Sequence, residues 1–379
     1  MKGFLTTHKG MEDIAALEVK ELIGKNSKLN ETCIVFDIKK YEDLFRLCYK
    51  SQSAIGIYCL LQEFNYSDIL KDIKKNLEKI NLGEWLSKNT QFRANYIKTS
   101  NNGISTPELE KKLGELIINH IQKKYNYRPK VDLDNPDIII SAHITENKCY
   151  LGIDFAGFDL SKRSYNIFTH PAAMKGTIGY FLVRLSGYNK DETLLDPFSG
   201  SGTMPIEAAL FASSFPVNFF NREKFIFLKA IKFKDFDFNK LFKKLDKEIL
   251  DNKLDINNLN TSIKYLNYAK KNSKIAGVGK KIKFSRANIE WMDTKFEKNK
   301  IDRIVTILPS AQKKEYDNIC NEFFYQSEFV LNKKGKMVLM GDKEQIKKYS
   351  SKFKFKISGQ REVFSGKKKY EIFVLIKQK

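Results

Sequence analysis

Cysteine is scarce and scattered in this chain of 379 residues. Cys33, Cys48, Cys59, Cys149 and Cys320 are odd in number and never spaced as Cys-x-x-Cys, which argues against a disulfide framework and a zinc cage. Histidine is rarer still, and its four residues show no ligand spacing, so no resident metal is expected. No stretch approaches the roughly 18 unbroken apolar residues that cross a bilayer, and the opening MKGFLTTHKGMEDIA has no secretory apolar core. The expected location is the cytoplasm, with no membrane association. Arginine is also sparse, at nine residues, so positive charge rests on lysine.

That charge is large. The formal net charge is +22, with 42% hydrophobic and 30% charged residues, the profile of a globular chain. At about 100–200 residues per domain the length suggests two or three domains. An excess of this size favours a polyanionic partner, nucleic acid first, although lysine-rich surfaces also arise from compositional bias. Charge does not choose DNA from RNA.

Along the first sixty residues, short strands and amphipathic helices alternate, as in a small α+β unit. A second unit follows with a strand at 92–98. Turn chemistry at Asn101–Pro107 leads into a helix at 108–125, with Thr106 read as its N-cap, and a hairpin spans 137–154. From about residue 170 strands alternate with helices, the texture of a doubly wound α/β sheet. A linker is expected near Gly157–His170, and the tryptophans and many phenylalanines read as packing.

The most informative run is Leu194-Leu195-Asp196-Pro197-Phe198-Ser199-Gly200-Ser201-Gly202-Thr203, followed by Pro205-Ile206-Glu207-Ala208. An apolar strand ends in an acid and a Gly-Ser-Gly turn, and a helix begins at once. Backbone N–H groups then converge on one spot that glycine leaves open to a ligand. Without a following Lys-Ser/Thr it is not a Walker phosphate loop.

This string resembles the first motif of class I S-adenosylmethionine-dependent methyltransferases, as worded in THUMP-domain RNA methyltransferases. The resemblance extends upstream through Asp154-Phe155-Ala156-Gly157, Leu160-Ser161-Lys162-Arg163-Ser164-Tyr165 and His170-Pro171-Ala172, and downstream through Ala269-Lys270-Lys271-Asn272. Within the family the chain is most similar to archaeal tRNA guanine-N2-methyltransferases. The resemblance implies an α/β chain of three parts. These are a ferredoxin-like unit at 1–62, an RNA-binding THUMP domain at 63–157 and a Rossmann-like methyltransferase domain at 158–379. It implies S-adenosylmethionine as cofactor, held by His170, Asp196, Pro197, Ser199, Gly200, Ser201, Gly202, Thr203, Asn260 and Asn288. RNA, in particular tRNA, is the implied partner, with Lys162, Arg163 and Tyr165 as phosphate contacts, and a monomer is the default.

Three positions depart from the family's wording. The acid that takes the ribose diol falls on Asn260, and the acid that faces adenine falls on Asn288. Neutral bonds there are about half as strong as charge-assisted ones. The acceptor motif, normally Asn/Asp-Pro-Pro-Tyr/Phe, reads Ile307-Leu308-Pro309-Ser310, which leaves Pro309 and Ser310 as the catalytic-motif positions. Ile307 offers no acceptor and Ser310 no ring. Two readings follow: methyl transfer to guanine N2, or a catalytically impaired paralogue that binds RNA. A DNA methyltransferase, which shares the acceptor chemistry, is disfavoured by the THUMP-like half.

Overall fold

The computed structural model describes residues 1–98, 105–309 and 312–378. They form two compact units. The first comprises Met1–Thr7, Ala15–Leu160 and Phe220–Leu245; the second comprises His8–Ile14, Ser161–Phe219 and Asp246–Lys379.

The first unit is built on β1 (Lys2–Thr6), β2 (Ser27–Asn30), β3 (Cys33–Asp37), β4 (Gly56–Asn65), β5 (Gln91–Lys98), β6 (Lys130–Val131), β7 (Ile138–Ile144) and β8 (Lys148–Asp154). Their spatial order is β2-β3-β1-β4-β8-β7-β5-β6. Strand β4 pairs antiparallel with β1 on one side and β8 on the other, so the two N-terminal segments share one sheet. Helices α1 (Glu12–Ile23), α2 (Tyr41–Lys50), α3 (Ile69–Leu77) and α4 (Thr106–Tyr125) accompany it. In α4, Leu109, Leu113, Ile117 and Ile121 recur at four-residue intervals and are the buried residues of the helix. Its N-cap is Ser105 rather than Thr106, with Pro107 in the first turn, and Asn126 ends it in the left-handed region at φ 59°.

The charged stretch Phe236–Leu250 has a helical pattern, and α7 (Phe238–Asp246) lies within it. Ahead of it come 3₁₀ turns at Phe219–Lys224, Ile226–Leu228 and Ile231–Phe233. The cause is aromatic packing: the buried Phe45 ring lies 4.5 Å from Phe227, 5.0 Å from Phe233 and 5.1 Å from Phe238. Gly157, at φ +81°, belongs to the same junction, because a Cβ there would lie 2.7 Å from Ile226. The turn before it is fixed by Asp154, whose Oδ1 accepts from the N–H groups of Ala156 and Gly157. Trp85 packs as expected, but Trp291 is 60% exposed.

The second unit holds β9 (Thr193–Asp196), β10 (Asp255–Asn260), β11 (Ile282–Arg286), β12 (Ile301–Ile307), β13 (Leu331–Met340), β14 (Phe355–Ser365) and β15 (Lys368–Lys377). The order is β11-β10-β9-β12-β13-β15-β14. The first five run parallel, and the last two form an antiparallel hairpin at the edge. Strand order reverses at β9, and such a switch point opens a crevice at the carboxyl ends of the strands. Helices α5 (Gly176–Leu185), α6 (Thr203–Ala212) and α8 (Ile263–Ile275) complete this side of the unit.

One buried carboxylate organises the first unit. Glu18 of α1, 4% exposed, accepts from Ser51 Oγ at 2.6 Å, Gln52 N–H at 2.7 Å, Ser53 N–H at 3.1 Å and Ser53 Oγ at 2.5 Å. Removing it leaves several buried donors unpaired. Glu18→Leu is expected to lower unfolding free energy by about 3 kcal/mol, read from urea denaturation; a loss below about 1 kcal/mol would contradict this role.

Candidate functional site

The run at 196–203 lies at the carboxyl end of β9, on the switch point. Gly200 and Gly202 take φ of +50° and +86°. A Cβ on Gly202 would meet the Cβ of Ala269 at 2.8 Å, so the loop seats directly on α8. Gly200 faces the other way, with the His170 ring 3.4 Å from where its Cβ would be. The loop is braced from β10. Ser199 donates through both its N–H and its Oγ to the Leu259 carbonyl, and Asn260 Nδ2 donates to the Gly200 carbonyl at 3.2 Å. Asn272 of α8 adds a third brace, donating to the carbonyls of Ser201 and Phe168 and accepting from the Phe168 N–H.

These elements enclose a cavity of about 400 Å³, within the usual range for small-molecule sites. Of the expected cofactor contacts, His170, Pro197, Ser199, Gly200, Ser201, Thr203, Asn260 and Asn288 line it, together with Pro309 of the acceptor motif. Asp196 and Gly202 lie behind the lining. Ser310 falls outside the described residues. The two substituted amides serve local structure first: Asn260 Oδ1 accepts from the Ser262 N–H, and Asn288 Oδ1 accepts from the Ile289 N–H. His170 Nδ1 accepts from the Ala172 N–H, and burial lowers the ring's pKa.

Asp196 is fully buried. Its Oδ1 accepts from Thr306 Oγ1 at 2.6 Å and from the Phe198 N–H, while Oδ2 has no hydrogen-bond partner among the described residues. Burial pushes the carboxyl up to about 7, against the smaller opposing effect of those two donors. An orphaned carboxylate oxygen beneath a glycine loop suits a ligand carrying positive charge. With the open backbone at Gly200 and the α6 N-terminus, the residues present fit S-adenosylmethionine.

A second cavity of about 720 Å³ shares Ala172, Ala173, Met174, Ile307, Leu308 and Pro309 with the first. It continues past Tyr316, Gln345, Tyr370 and Glu371. The acceptor-motif strand end therefore forms a common wall between two chambers.

The expectation of RNA contacts needs correction. Lys162 is exposed, but Arg163 and Tyr165 are buried at 9% and 3% exposure. Arg163 Nε donates to Glu207 Oε1 at 2.7 Å and Nη2 to Oε2 at 3.3 Å, while the Tyr165 hydroxyl donates to Glu207 Oε1 at 2.7 Å. This buried cluster ties the linker to α6, and Gly176 is packed so tightly on it that a Cβ would lie 2.4 Å from Glu207 Oε1. Sequence reasoning also missed Thr306, Asn272 and Tyr265. Thr306 was visible as a hydroxyl interrupting the apolar run Ile304-Val305, and Asn272 stood in a matched motif without an assigned role.

A model of the RMKL-like methyltransferase domain matches residues 163–370, and a THUMP domain model matches residues 68–154. The chain is 29% identical over 385 residues to a tRNA (guanine(6)-N2)-methyltransferase of Methanocaldococcus jannaschii, covering 99% of this chain and 100% of the relative. It is 28% identical over 212 residues to a ribosomal RNA large subunit methyltransferase K/L of Buchnera aphidicola, covering 55% of this chain and 30% of that one. A crystal structure of a possible methylase from Clostridium difficile 630 superposes with a TM-score of 0.83 at 22% identity, covering 100% and 98% of the two chains.

Two outcomes follow from the geometry. Arg163→Ala strands Glu207 in the interior and is expected to cost about 3–5 kcal/mol of stability, while RNA affinity of the folded fraction stays within about twofold of wild type; a selective loss of RNA binding would restore Arg163 as a phosphate contact. For Asp196, the folded pKa near 7 stands above the ordinary 3.8, so between those values the folded state holds a proton that the unfolded state has lost. This contribution to stability is complete below the lower value and is lost as pH rises through about 7. Urea unfolding of the free protein from pH 5 to 8 is expected to show that decline, and Asp196→Asn to flatten it.

Proposed function

The chain belongs to the RMKL-like methyltransferase family and carries a THUMP domain, and on that premise we propose that it methylates tRNA at guanine N2. It is an S-adenosylmethionine-dependent RNA methyltransferase. The tRNA and guanine assignments take their support from the full-length similarity to the M. jannaschii enzyme. We likewise propose the cytoplasm as its location, and the division 1–62, 63–157 and 158–379 for its ferredoxin-like, THUMP and catalytic parts. Among the described residues no helix is long and apolar enough to cross a membrane.

The observation that carries the reading is the pair of chambers joined at Ile307–Pro309. His170, the loop from Pro197 to Thr203, Asn260 and Asn288 are the residues that would hold the cofactor. When bound, it supplies an activated methyl group on a sulfonium. The protein's contribution is placement. The loop's open backbone sets one reactant, and the second chamber, with Tyr316 and Tyr370 in its wall, admits the base on the far side of Pro309. Holding reactants in line supplies most of the acceleration in such a transfer. Asp196 offers a buried carboxylate beneath the loop, whose ionised form a positive neighbour stabilises. At the acceptor position Ile307 cannot accept from the exocyclic amine, so this chain's chemistry leans on orientation more heavily than the usual motif does. The RNA-binding paralogue is not favoured, since the relative matched over its full length is a tRNA methyltransferase.

Calorimetric titration with S-adenosylmethionine, with a methyl-transfer assay on unmodified tRNA from the same stock, tests this reading. Micromolar binding with measurable transfer is expected. The double variant Ile307→Asn, Ser310→Tyr is expected to raise the rate by about 10²-fold, the usual effect of one positioned polar group. Absence of cofactor binding would sink the enzyme reading, whatever the RNA affinity.

A further inference from the structure

Four aromatic rings run outward from the cofactor cleft across α8. The His170 and Tyr265 ring centroids are 4.3 Å apart, Tyr265 and Tyr268 are 5.9 Å apart, and Tyr268 and Phe168 are 5.5 Å apart. His170 and Tyr265 line the cleft; Tyr268 and Phe168 continue beyond it. All four are half-buried, and Phe168, Tyr265 and Tyr268 stand outside the two apolar clusters that make the core of this unit. Exposed lysines accompany them. Lys264 Nζ lies 5.6 Å from the Tyr265 centroid and 5.9 Å from that of Tyr268, and Lys271 Nζ lies 4.7 Å from that of Phe168. The helical period explains the grouping: 264, 268 and 271 share one face of α8, with 265 beside them. Phe168 reaches this face from the linker because Asn272, itself buried, binds both its N–H and its carbonyl.

We propose that this row is a stacking platform for unpaired RNA nucleotides at the rim of the cofactor cleft. The proposal rests on the RNA-substrate reading and adds a surface on the catalytic unit to it. Every base offers a π face, and rings flanked by lysines bind single strands by stacking while the ammonium groups meet phosphates. A duplex, whose bases already stack on one another, offers the rings nothing but its ends. The surface therefore discriminates strandedness, and through His170 and Tyr265 it is continuous with the cofactor cleft.

The test compares full-length wild type with Tyr268→Ala and Phe168→Ala by fluorescence anisotropy. The probes are a labelled single-stranded oligoribonucleotide and an RNA duplex of equal length, at one fixed salt concentration. Each variant is expected to lose about tenfold in single-strand affinity, to change duplex affinity by less than twofold, and to bind S-adenosylmethionine like wild type. Tyr268→Trp is expected to retain single-strand affinity, and Tyr268→Leu, which keeps bulk without a ring, to lose it even if Phe168→Ala unfolds. Variants that match wild type on the single strand would overturn the platform alone. Equal losses on both probes would also overturn it, because they would indicate backbone contact without stacking. A wild-type protein that binds neither RNA would overturn the functional reading and the platform with it.

Discussion

Everything around the cleft depends on the close seating of one loop against one helix. At Gly202 the backbone approaches Ala269 so nearly that no side chain fits, and the φ of +86° is one that L residues rarely adopt. That contact fixes where α6 starts, and therefore where its N–H groups point. On the other side Ser199 and Asn260 tie the loop to the neighbouring strand β10. With the loop fixed on that side, Gly200 packs against the His170 ring at the cavity wall.

Buried carboxylates are treated in two ways. Glu18 and Glu207 are surrounded by donors, so their charges are compensated and they act as organisers of turns and linkers. Asp196 receives two donors on one oxygen and none on the other, and burial holds its proton to near neutrality. A compensated carboxylate stabilises the fold, and one with an unpaired buried oxygen carries an unmet demand for a donor.

The substituted amides fit the same logic. An acid at position 260 would carry its charge to the cleft, whereas Asn260 spends its carbonyl on Ser262 and its amide on Gly200. The second of these bonds holds the end of β10 against the loop. Ile307 lines both chambers and gives each of them apolar surface.

Much of this was legible in the sequence, because strand-turn-helix chemistry is local: the Asp196–Thr203 run reads directly as a glycine turn opening a helix, and α6 spans the residues its pattern indicates. The alternating strands and helices after residue 170 likewise announce a doubly wound sheet. Long-range burial was not legible. Arg163 and Tyr165 look like surface contacts until Glu207, more than forty residues away, closes over them. The 3₁₀ turns at 219–233 depend on Phe45, which no local window contains. Sequence by itself determined the class of fold and the position of the loop, since both follow from neighbouring residues. Only the tertiary structure decided which polar groups are spent on one another and which are left for a ligand, because burial is set by every element packed around them.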